Sequence, residues 1–247
     1  MRAPVASPAD FASELSRFYT NVFAVMAIGL AVTGGITLWL SHSQGLMETL
    51  FTMTSYVENG KDKTGFSASG WWWGAAILEL VLVVALTWGS LGKGLSTASG
   101  VLLFAFYSAL NGVTLAPVIY SYTDASVAKV FFITAGTFGG CALFGRVTKI
   151  NLLPMGSFFL VGLIGLLIAL VVNIFYQSPI MDYTVSGVAV LLFAGLTAYD
   201  MQKLREMFEE SADGAVPDLV VYGALTLYLD FINLFIHLLR FFGVKKD

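Results

Sequence analysis

Two aspartates near the end of the chain have the clearest capacity for chemistry. Asp230 lies in the middle of the last apolar segment, residues 219–243, and Asp200 ends the apolar segment before it, in GLTAYDMQKL. Two carboxylates in one low-dielectric site do not both ionise easily, so they would share a proton and titrate as a pair. Their oxygens are also ligands that Ca²⁺ prefers. We therefore predict that Asp200 and Asp230 form a pH sensor. While the proton is shared, the pair closes an ion path through the membrane. When the proton leaves, a cation such as Ca²⁺ passes or binds transiently.

The aspartate pair can form only if the helix that carries Asp200 continues past it. The residues that follow, MQKLREMFEE, are almost all strong helix formers, so the sequence allows this. In the alternative, Asp200 is an acid at the membrane surface capped by Lys203 or Arg205. Asp230 is then a buried acid bonded to Asn111 or to a tyrosine. The residues by themselves leave both interpretations open.

Glu79 is a further acid inside an apolar segment, residues 71–91. A charge in the middle of a bilayer costs at least ~2.5–3.5 kcal/mol, so this carboxylate needs a partner. Arg240 is predicted to be that partner, because both residues would lie toward the same side of the membrane. The pair is either a structural ion pair between two helices or a gate over an outer vestibule.

The last segment carries its polar residues on one side of a helix. At ~100° per residue they fall within a stripe of roughly 80°. The stripe consists of Tyr222, Thr226, Asp230, Asn233, His237 and Arg240. Because such a stripe must face protein or water, we predict that this helix is the centre of a bundle. Asn111, Asn233 and His237 are predicted to support the site by hydrogen bonds, with His237 a spacer rather than a metal ligand.

The composition is that of a polytopic membrane protein. Of the 247 residues, 57% are apolar and 12% are charged, and the mean hydropathy is +0.80, whereas soluble domains carry ~25% charged residues. Seven apolar runs are long enough to cross a ~30 Å hydrocarbon core as helices. The runs are residues 22–40, 71–91, 98–119, 127–145, 154–176, 180–199 and 219–243.

The predicted fold is therefore an all-α membrane protein with seven transmembrane helices and the last helix central in the bundle. A cytoplasmic or interfacial N-terminal segment, residues 1–21, precedes the seven-helix transmembrane domain, residues 22–243. A short C-terminal tail, residues 244–247, follows it.

Charge, cysteine content and motifs exclude several classes of function. The net charge of -3 offers no basic surface to nucleic acid, and the single cysteine, Cys141, excludes an internal disulfide. The sequence has no nucleotide-binding or hydrolase motif, so we predict that the chain is not an enzyme and needs no cofactor. An intramembrane aspartyl protease is the enzymatic alternative, because Tyr199 precedes Asp200. However, the residues before Asp230, LYL, lack the glycine pair that the second protease motif requires.

Basic residues in short loops favour a cytoplasmic N-terminus. That orientation places seven of them inside, namely Arg2, Arg17, Lys93, Arg146, Lys149, Lys203 and Arg205. Three lie outside, namely Lys61, Lys63 and Lys129. Lys245 and Lys246 are outside if the last segment crosses the membrane and inside if it is re-entrant. We expect a monomer. We also expect a bacterial inner membrane rather than the endoplasmic reticulum, which is the alternative, because the chain has no long tail or lumenal domain.

Three stretches resemble a known family. They are FYSALNGVTLAPVIYSYTDASVAKVFFITAGTFGGCALFG, GLTAYDMQKL and LYLDFINLFIHLLRFFG. They look like the transmembrane Bax inhibitor motif family, also called the Bax inhibitor-1 family. The resemblance implies a central last helix, a pH-dependent Ca²⁺ leak and a role in calcium homeostasis. It also implies that Asp200 and Asp230 match the family's paired aspartates, and that Glu79 and Arg240 match a charged pair between the second and last helices.

One departure from the family concerns the second helix. Family members can carry an arginine there that engages the sixth-helix aspartate, whereas this chain has TWGSL at residues 87–91. Asp200 would then pair with Asp230 alone, or Lys203 or Lys93 would take the place of the arginine. A non-conducting regulator that binds another membrane protein is the functional alternative to the leak.

Overall fold

The computed structural model describes residues 8–58, 61–67, 70–91, 96–176, 178–211 and 216–246. Its helices are α1 (Pro8–Ser41), α2 (Gln44–Leu50), α3 (Gly70–Leu91), α4 (Thr97–Tyr120), α5 (Asp124–Val147), α6 (Gly156–Tyr176), α7 (Pro179–Glu210) and α8 (Val216–Phe242). Two strands, β1 (Thr52–Glu58) and β2 (Lys61–Ser67), form an antiparallel hairpin between α2 and α3. A single 3₁₀ turn, Leu153–Met155, leads into α6.

Seven of the described helices are long and apolar enough to cross a membrane, namely α1, α3, α4, α5, α6, α7 and α8. They coincide with the seven apolar runs, so the predicted class of a seven-helix membrane protein is confirmed. The start of α7 illustrates how local sequence determines where a helix begins. Ser178 caps the helix by accepting a hydrogen bond from the Met181 amide at 3.4 Å, and Pro179 occupies the first turn, where its missing N–H has no helical partner to lose.

Two helices, α1 and α7, are longer than a bilayer core is thick. With 34 and 32 residues, they extend roughly 50 Å each at ~1.5 Å per residue, against a core of ~30 Å. Their extra turns pack together, with the Phe18 and Phe208 rings stacked at 5.0 Å. α7 therefore continues past Asp200, as the aspartate pair requires. The sequence predicts a boundary at residue 21, whereas the described residues 8–21 are continuous with the first span.

The last helix, α8, is the centre of the bundle, as predicted. It packs against α1, α3, α4, α5 and α7, whereas α6 lies outside and packs on α7. Most α8 side chains are buried, and Leu227, Tyr228 and Leu234 are completely so. Because α8 is covered on nearly every side, its polar groups meet protein rather than hydrocarbon.

The connection between α1 and α3 has structure that the sequence does not predict. The short helix α2 buries Met47, and the next residue after the helix, Phe51, is buried as well. Both pack with Leu40 at the end of α1 and with Ala116 of α4. The Phe51 ring also contacts Trp71 at 5.3 Å. α2 therefore covers one end of the α1–α4 pair.

The C-terminal tail is bound to the connection between α4 and α5. The Thr123 amide donates to the Val244 carbonyl at 2.9 Å, and the Lys246 amide donates to the Ser121 carbonyl at 3.0 Å. Since α8 is one continuous helix, its two ends lie at opposite ends of the bundle. This geometry favours the crossing helix over the re-entrant one.

Close helix contacts depend on glycines that the sequence does not single out. A Cβ atom on Gly145 of α5 would lie 2.3 Å from the Ala198 carbonyl oxygen of α7, and one on Gly112 of α4 would lie 2.8 Å from the Thr33 carbonyl oxygen of α1. Gly136 and Gly140 of α5 have the four-residue spacing of small residues that is common at helix contacts in membranes, yet a Cβ atom on either would meet nothing within 4 Å. The helix contact that this spacing predicts is therefore not made within the described part of the chain.

We expect Gly145→Ala to destabilise the protein, because the added methyl group collides with backbone two residues before Asp200. Overpacking of this kind typically costs ~1–3 kcal/mol, which exceeds the helix propensity of up to ~1 kcal/mol that alanine adds. Thermal unfolding in detergent, followed by intrinsic fluorescence, measures the change. The matched control is Gly140→Ala, which should unfold at or slightly above the wild-type temperature. Equal melting of the two variants would contradict the close contact between α5 and α7.

Candidate functional site

The structure brings Asp200 of α7 and Asp230 of α8 together in the interior. Their side chains are buried, with 7% and 4% of the residue surface exposed. The two carboxyl groups lie close enough to interact electrostatically, and the Thr197 hydroxyl lies beside Asp230. Oδ2 of Asp230 is buried without a hydrogen-bond partner among the described residues. The site thus holds more acceptor oxygens than donors.

This environment does not match the alternative of a surface acid and an isolated buried acid. The Arg205 side chain is exposed and binds Glu209 at 2.8 Å instead of capping Asp200. Lys203, the other basic residue that could cap Asp200, lies near it. Its ammonium is 5.9 Å from the centre of the Tyr199 ring. Two buried carboxylates next to each other repel unless a proton or a cation lies between them.

The arginine that the family can carry in the second helix has no counterpart at the end of α3. Leu86 and Ser90 are buried there. Lys93, the other cation considered as a substitute, lies outside the described residues. Lys203 on α7 is therefore the basic residue that the structure places beside Asp200.

Glu79 and Arg240 do not form the predicted ion pair, which is a correction to the sequence interpretation. The Glu79 carboxylate accepts hydrogen bonds from the Thr114 hydroxyl at 2.6 Å and from the Asn111 amide at 3.3 Å. Arg240 is exposed in the last turn of α8. Neutral donors on the neighbouring helix α4 satisfy Glu79, so it needs no cation.

The polar contacts of Glu79 continue across the bundle. Asn111 also binds the hydroxyl of Tyr228 on α8 at 2.9 Å. That hydroxyl lies 2.6 Å from the hydroxyl of Thr33 on α1, which donates to the Ser108 carbonyl at 2.8 Å. Side chains of α1, α3, α4 and α8 are therefore joined in one buried chain of hydrogen bonds, which we call the Tyr228 network.

Hydrogen counting shows which protonation state completes the Tyr228 network. When the Asn111 amide nitrogen faces Glu79, three contacts among Asn111, Tyr228, Thr33 and the Ser108 carbonyl have only two hydroxyl hydrogens. When the amide is turned over and Glu79 carries a proton, each contact from Glu79 through Asn111, Tyr228 and Thr33 to the Ser108 carbonyl has one hydrogen. The amide orientation and the proton position are linked in this way because nitrogen and oxygen fit the same place. A neutral Glu79 thus leaves no acceptor in the network without a donor.

The remaining predicted residues have local partners. Asn233 donates to the Leu229 carbonyl of its own helix at 2.8 Å. The buried His237 lies 3.5 Å from the Ser186 hydroxyl and stacks on the Phe193 ring at 6.2 Å. His237 is therefore placed as a spacer within the α7–α8 contact.

The described residues contain no cluster of three or more histidine, cysteine, aspartate or glutamate side chains that could hold a metal ion. The aspartate pair supplies at most four carboxylate oxygens, whereas Ca²⁺ takes 6–8 oxygen ligands. The aspartate pair alone therefore supplies too few oxygens to complete the coordination of a resident Ca²⁺ ion.

A third group of charged side chains lies at the end of the bundle where α1 ends and α5 begins. His42 Nε2 lies 3.2 Å from Asp124 Oδ2, and Lys246 Nζ lies 3.9 Å from Asp124 Oδ1. Sequence reasoning missed this cluster, because the three residues are far apart in the chain and each is ordinary for a loop or a tail. A hydrogen bond to the Leu38 carbonyl and the Asp124 carboxylate together raise the pKa of His42 above its usual value.

The fold and the buried acids define a class, a seven-helix integral membrane protein built around a polar central helix. Within that class, the chain belongs to the Bax inhibitor-1 family. The family profile Bax1-I, inhibitor of apoptosis-promoting Bax1, matches residues 15–247. The family predicted from the three quoted stretches is thereby confirmed.

Curated relatives of similar length come from several bacteria. The chain is 37% identical over 235 residues to inner membrane protein YbhL of Escherichia coli K12, covering 94% of this chain and 93% of YbhL. It is 39% identical over 232 residues to an uncharacterized membrane protein of Streptococcus pyogenes serotype M6, covering 93% of each. An uncharacterized protein of Caulobacter vibrioides is 36% identical over 250 residues, covering 100% of this chain and 96% of that relative.

A double-mutant cycle should separate the observed partner of Glu79 from the predicted one. We expect Glu79→Met and Asn111→Leu to couple by about 0.5–3 kcal/mol in unfolding free energy, because they share a hydrogen bond. Glu79→Met and Arg240→Met should be additive within ~0.5 kcal/mol. Reversible unfolding in mixed detergent micelles measures both cycles. Strong coupling between Glu79 and Arg240 would support the predicted ion pair and contradict the Tyr228 network.

Asp124→Asn should lower the pKa of His42 toward its ordinary value, because the carboxylate that stabilises the imidazolium is lost. A raised pKa in the folded state means that this contact stabilises the protein below the ordinary histidine pKa. The stabilisation is lost as the pH rises through the raised value. Titration of the ring nitrogens by NMR measures the shift, with His42→Gln to assign the signal. An unchanged pKa in Asp124→Asn would exclude the contact.

Proposed function

We propose that the protein is a pH-sensitive leak channel for cations, with Ca²⁺ as the transported ion and the Asp200–Asp230 pair as its gate. The observation that carries the proposal is the close approach of two buried carboxyl groups, one of which has an oxygen without a hydrogen-bond partner among the described residues. Such a site can bind one proton between its oxygens or one cation, but it is poorly satisfied when empty and fully charged.

The gate acts through the packing of α7 on α8. A shared proton neutralises one carboxyl group and lets the two side chains bond, which holds the helices together. When the proton leaves, two negative charges face each other in a low-dielectric site and repel. The repulsion loosens the contact, and the same oxygens then attract a hydrated cation.

A polar cavity near the gate offers one end of a path. It encloses about 260 Å³, and Met201 and Gln202, the residues next to Asp200, form part of its wall. Charged side chains of both signs complete the lining, namely Arg146, Arg205, Glu206 and Glu209. On the orientation favoured by the basic residues, this cavity faces the cytoplasm, so cytoplasmic pH would reach the gate from this side.

We propose an ion channel rather than an enzyme because of the position of the Asp200–Asp230 pair. An aspartyl protease needs a peptide bond to reach both carboxyl groups and a water molecule between them. Here α8 is an unbroken helix at the centre of the bundle, and Asp230 is covered by its neighbours. A proton or a small cation fits such a site, whereas a polypeptide does not.

The proposed cellular role is ion homeostasis in a bacterial inner membrane, with the N-terminus in the cytoplasm and the protein acting as a monomer. The relative named an inner membrane protein supports the compartment. The excess of basic residues on one side supports the orientation.

Calcium flux into liposomes loaded with a calcium-sensitive dye tests the proposal. We expect purified wild-type protein to pass Ca²⁺ with a rate that rises as the pH rises, because deprotonation opens the gate. Asp200→Asn and Asp230→Asn should each flatten this pH dependence, since an amide cannot exchange the proton. Glu14→Gln removes an exposed carboxylate on α1 and is the matched control, with wild-type behaviour expected.

Two results would count against the gate. Wild-type liposomes that pass no Ca²⁺ at any pH would exclude the leak and favour the non-conducting regulator. A flux in Asp230→Asn that follows the wild-type pH profile would remove this aspartate from the mechanism.

A further inference from the structure

An apolar groove opens between α1 and α5, with α8 as its floor. It encloses about 630 Å³, a size in the range of ligand pockets, ~300–1,000 Å³. The floor is formed by Phe231, Ile232 and Phe235 of α8. The wall on α1 is made largely of small residues, namely Ala27, Ala31, Gly34 and Gly35. The groove is therefore a concave channel on the lipid-facing side, not a flat helix surface.

The length of the groove matches one leaflet of a bilayer. Along α1 it runs from Ala27 to Leu38, and it continues to His42 beyond the helix end. The helical part corresponds to about 16 Å at ~1.5 Å per residue, which is half of a ~30 Å hydrocarbon core. One end of the groove therefore lies near the middle of the bilayer and the other at the headgroup level.

The protein itself does not fill this space. A Cβ atom placed on Gly34 or on Gly35 would meet nothing within 4 Å. Water gains no hydrogen bonds along such apolar walls, whereas an apolar chain gains dispersion contacts there. An acyl chain is the molecule in a bilayer that has the shape and polarity to occupy it.

The polar end of the groove has both signs of charge. His42 and Asp124 line it directly. The Asp124 carboxylate stands between the His42 ring, at 3.2 Å, and the Lys246 ammonium, at 3.9 Å. The Lys246 ammonium also lies 5.2 Å from the centre of the Tyr120 ring. One anion flanked by two basic groups complements a headgroup that carries both a phosphate and an ammonium.

We propose that the groove between α1 and α5 is a binding site for one phospholipid with an ethanolamine headgroup. One acyl chain lies along the groove over Phe231, Ile232 and Phe235. The phosphate binds the Lys246 ammonium beside His42, whose two ring nitrogens bind Leu38 and Asp124, and the lipid ammonium donates to the Asp124 carboxylate. This site is independent of the proposed leak, because Asp200 and Asp230 do not line it.

The headgroup assignment follows from charge and hydrogen bonding. Phosphatidylglycerol offers a phosphate to the two basic groups but leaves Asp124 facing a net negative lipid. Phosphatidylcholine has both charges, but its quaternary ammonium has no N–H to donate to the carboxylate. Ethanolamine supplies a compact ammonium with three donors beside a phosphate.

Native mass spectrometry of the purified full chain tests the site. The protein is exchanged into mild detergent with equal amounts of palmitoyl-oleoyl phosphatidylethanolamine, phosphatidylglycerol and phosphatidylcholine. We expect one retained phosphatidylethanolamine per chain. Preferential retention of either other lipid would overturn the headgroup assignment. A mass of two chains that displaces the lipid would overturn the site in favour of a second copy.

Two variants fill the groove from opposite walls. Gly35→Leu on α1 and Ala128→Phe on α5 should each lose the retained lipid, because their side chains take the place of the acyl chain. Gly139→Leu is the matched control, since a Cβ atom there also meets nothing within 4 Å and the residue does not line the groove. It should retain the lipid. Thermal unfolding verifies that each variant is folded. Wild-type retention in both folded filling variants would refute the groove site.

Asp124→Asn separates the headgroup from the acyl chain. Removal of the carboxylate leaves the Lys246 ammonium as the charged group at the groove end, so retention should shift from phosphatidylethanolamine to phosphatidylglycerol. An unchanged preference for phosphatidylethanolamine would exclude Asp124 as the partner of the ammonium.

Discussion

The burial of acidic and polar groups on α8 is the constraint on which the rest of the structure depends. Hydrocarbon cannot solvate a carboxyl group, so the polar side chains of this helix must face protein. Five other spans pack against α8, and α1, α4 and α7 place polar groups beside it. A helix with the same length but an apolar surface would have no reason to lie at the centre of the bundle.

Polar contacts on two sides of α8 give it two different roles. Tyr228 joins the network to Asn111 and Thr33, whereas Asp230 faces Asp200 on α7. Two residues apart, these side chains point about 200° away from each other around the helix. The network is built from neutral donors and acceptors that satisfy one another, so it holds α1, α3 and α4 in register with α8. On the other side, one oxygen of Asp230 has no hydrogen-bond partner among the described residues. One side of the helix is thus anchored by hydrogen bonds, and the other is the side on which we propose the gate.

Close backbone contacts bring these groups within reach. Gly112 lets α4 approach α1 closely enough for the Thr33 hydroxyl to bind the Ser108 carbonyl and to meet Tyr228. Gly145 does the same for α5 and α7 beside Ala198. Inside a membrane, where apolar burial provides little attraction between helices, such contacts contribute much of the association. The groove between α1 and α5 lies over Phe231, Ile232 and Phe235 of α8, where these two helices do not close against each other.

The sequence by itself determined the number of spans and the central position of the last helix, and it marked Asp200 and Asp230 as candidate site residues while leaving their pairing open. These follow from local rules, since a bilayer demands long apolar helices and a buried charge demands cover. Only the tertiary structure decided which side chains bind each other. Glu79 binds Asn111 and Thr114 instead of Arg240, because neutral donors one helix away satisfy it more closely than a cation at the end of α8. The contact at Gly145, the charged cluster at Asp124 and the groove likewise depend on which helix faces stand opposite each other. That depends on the three-dimensional packing of all the helices at once, and no spacing along the chain encodes it.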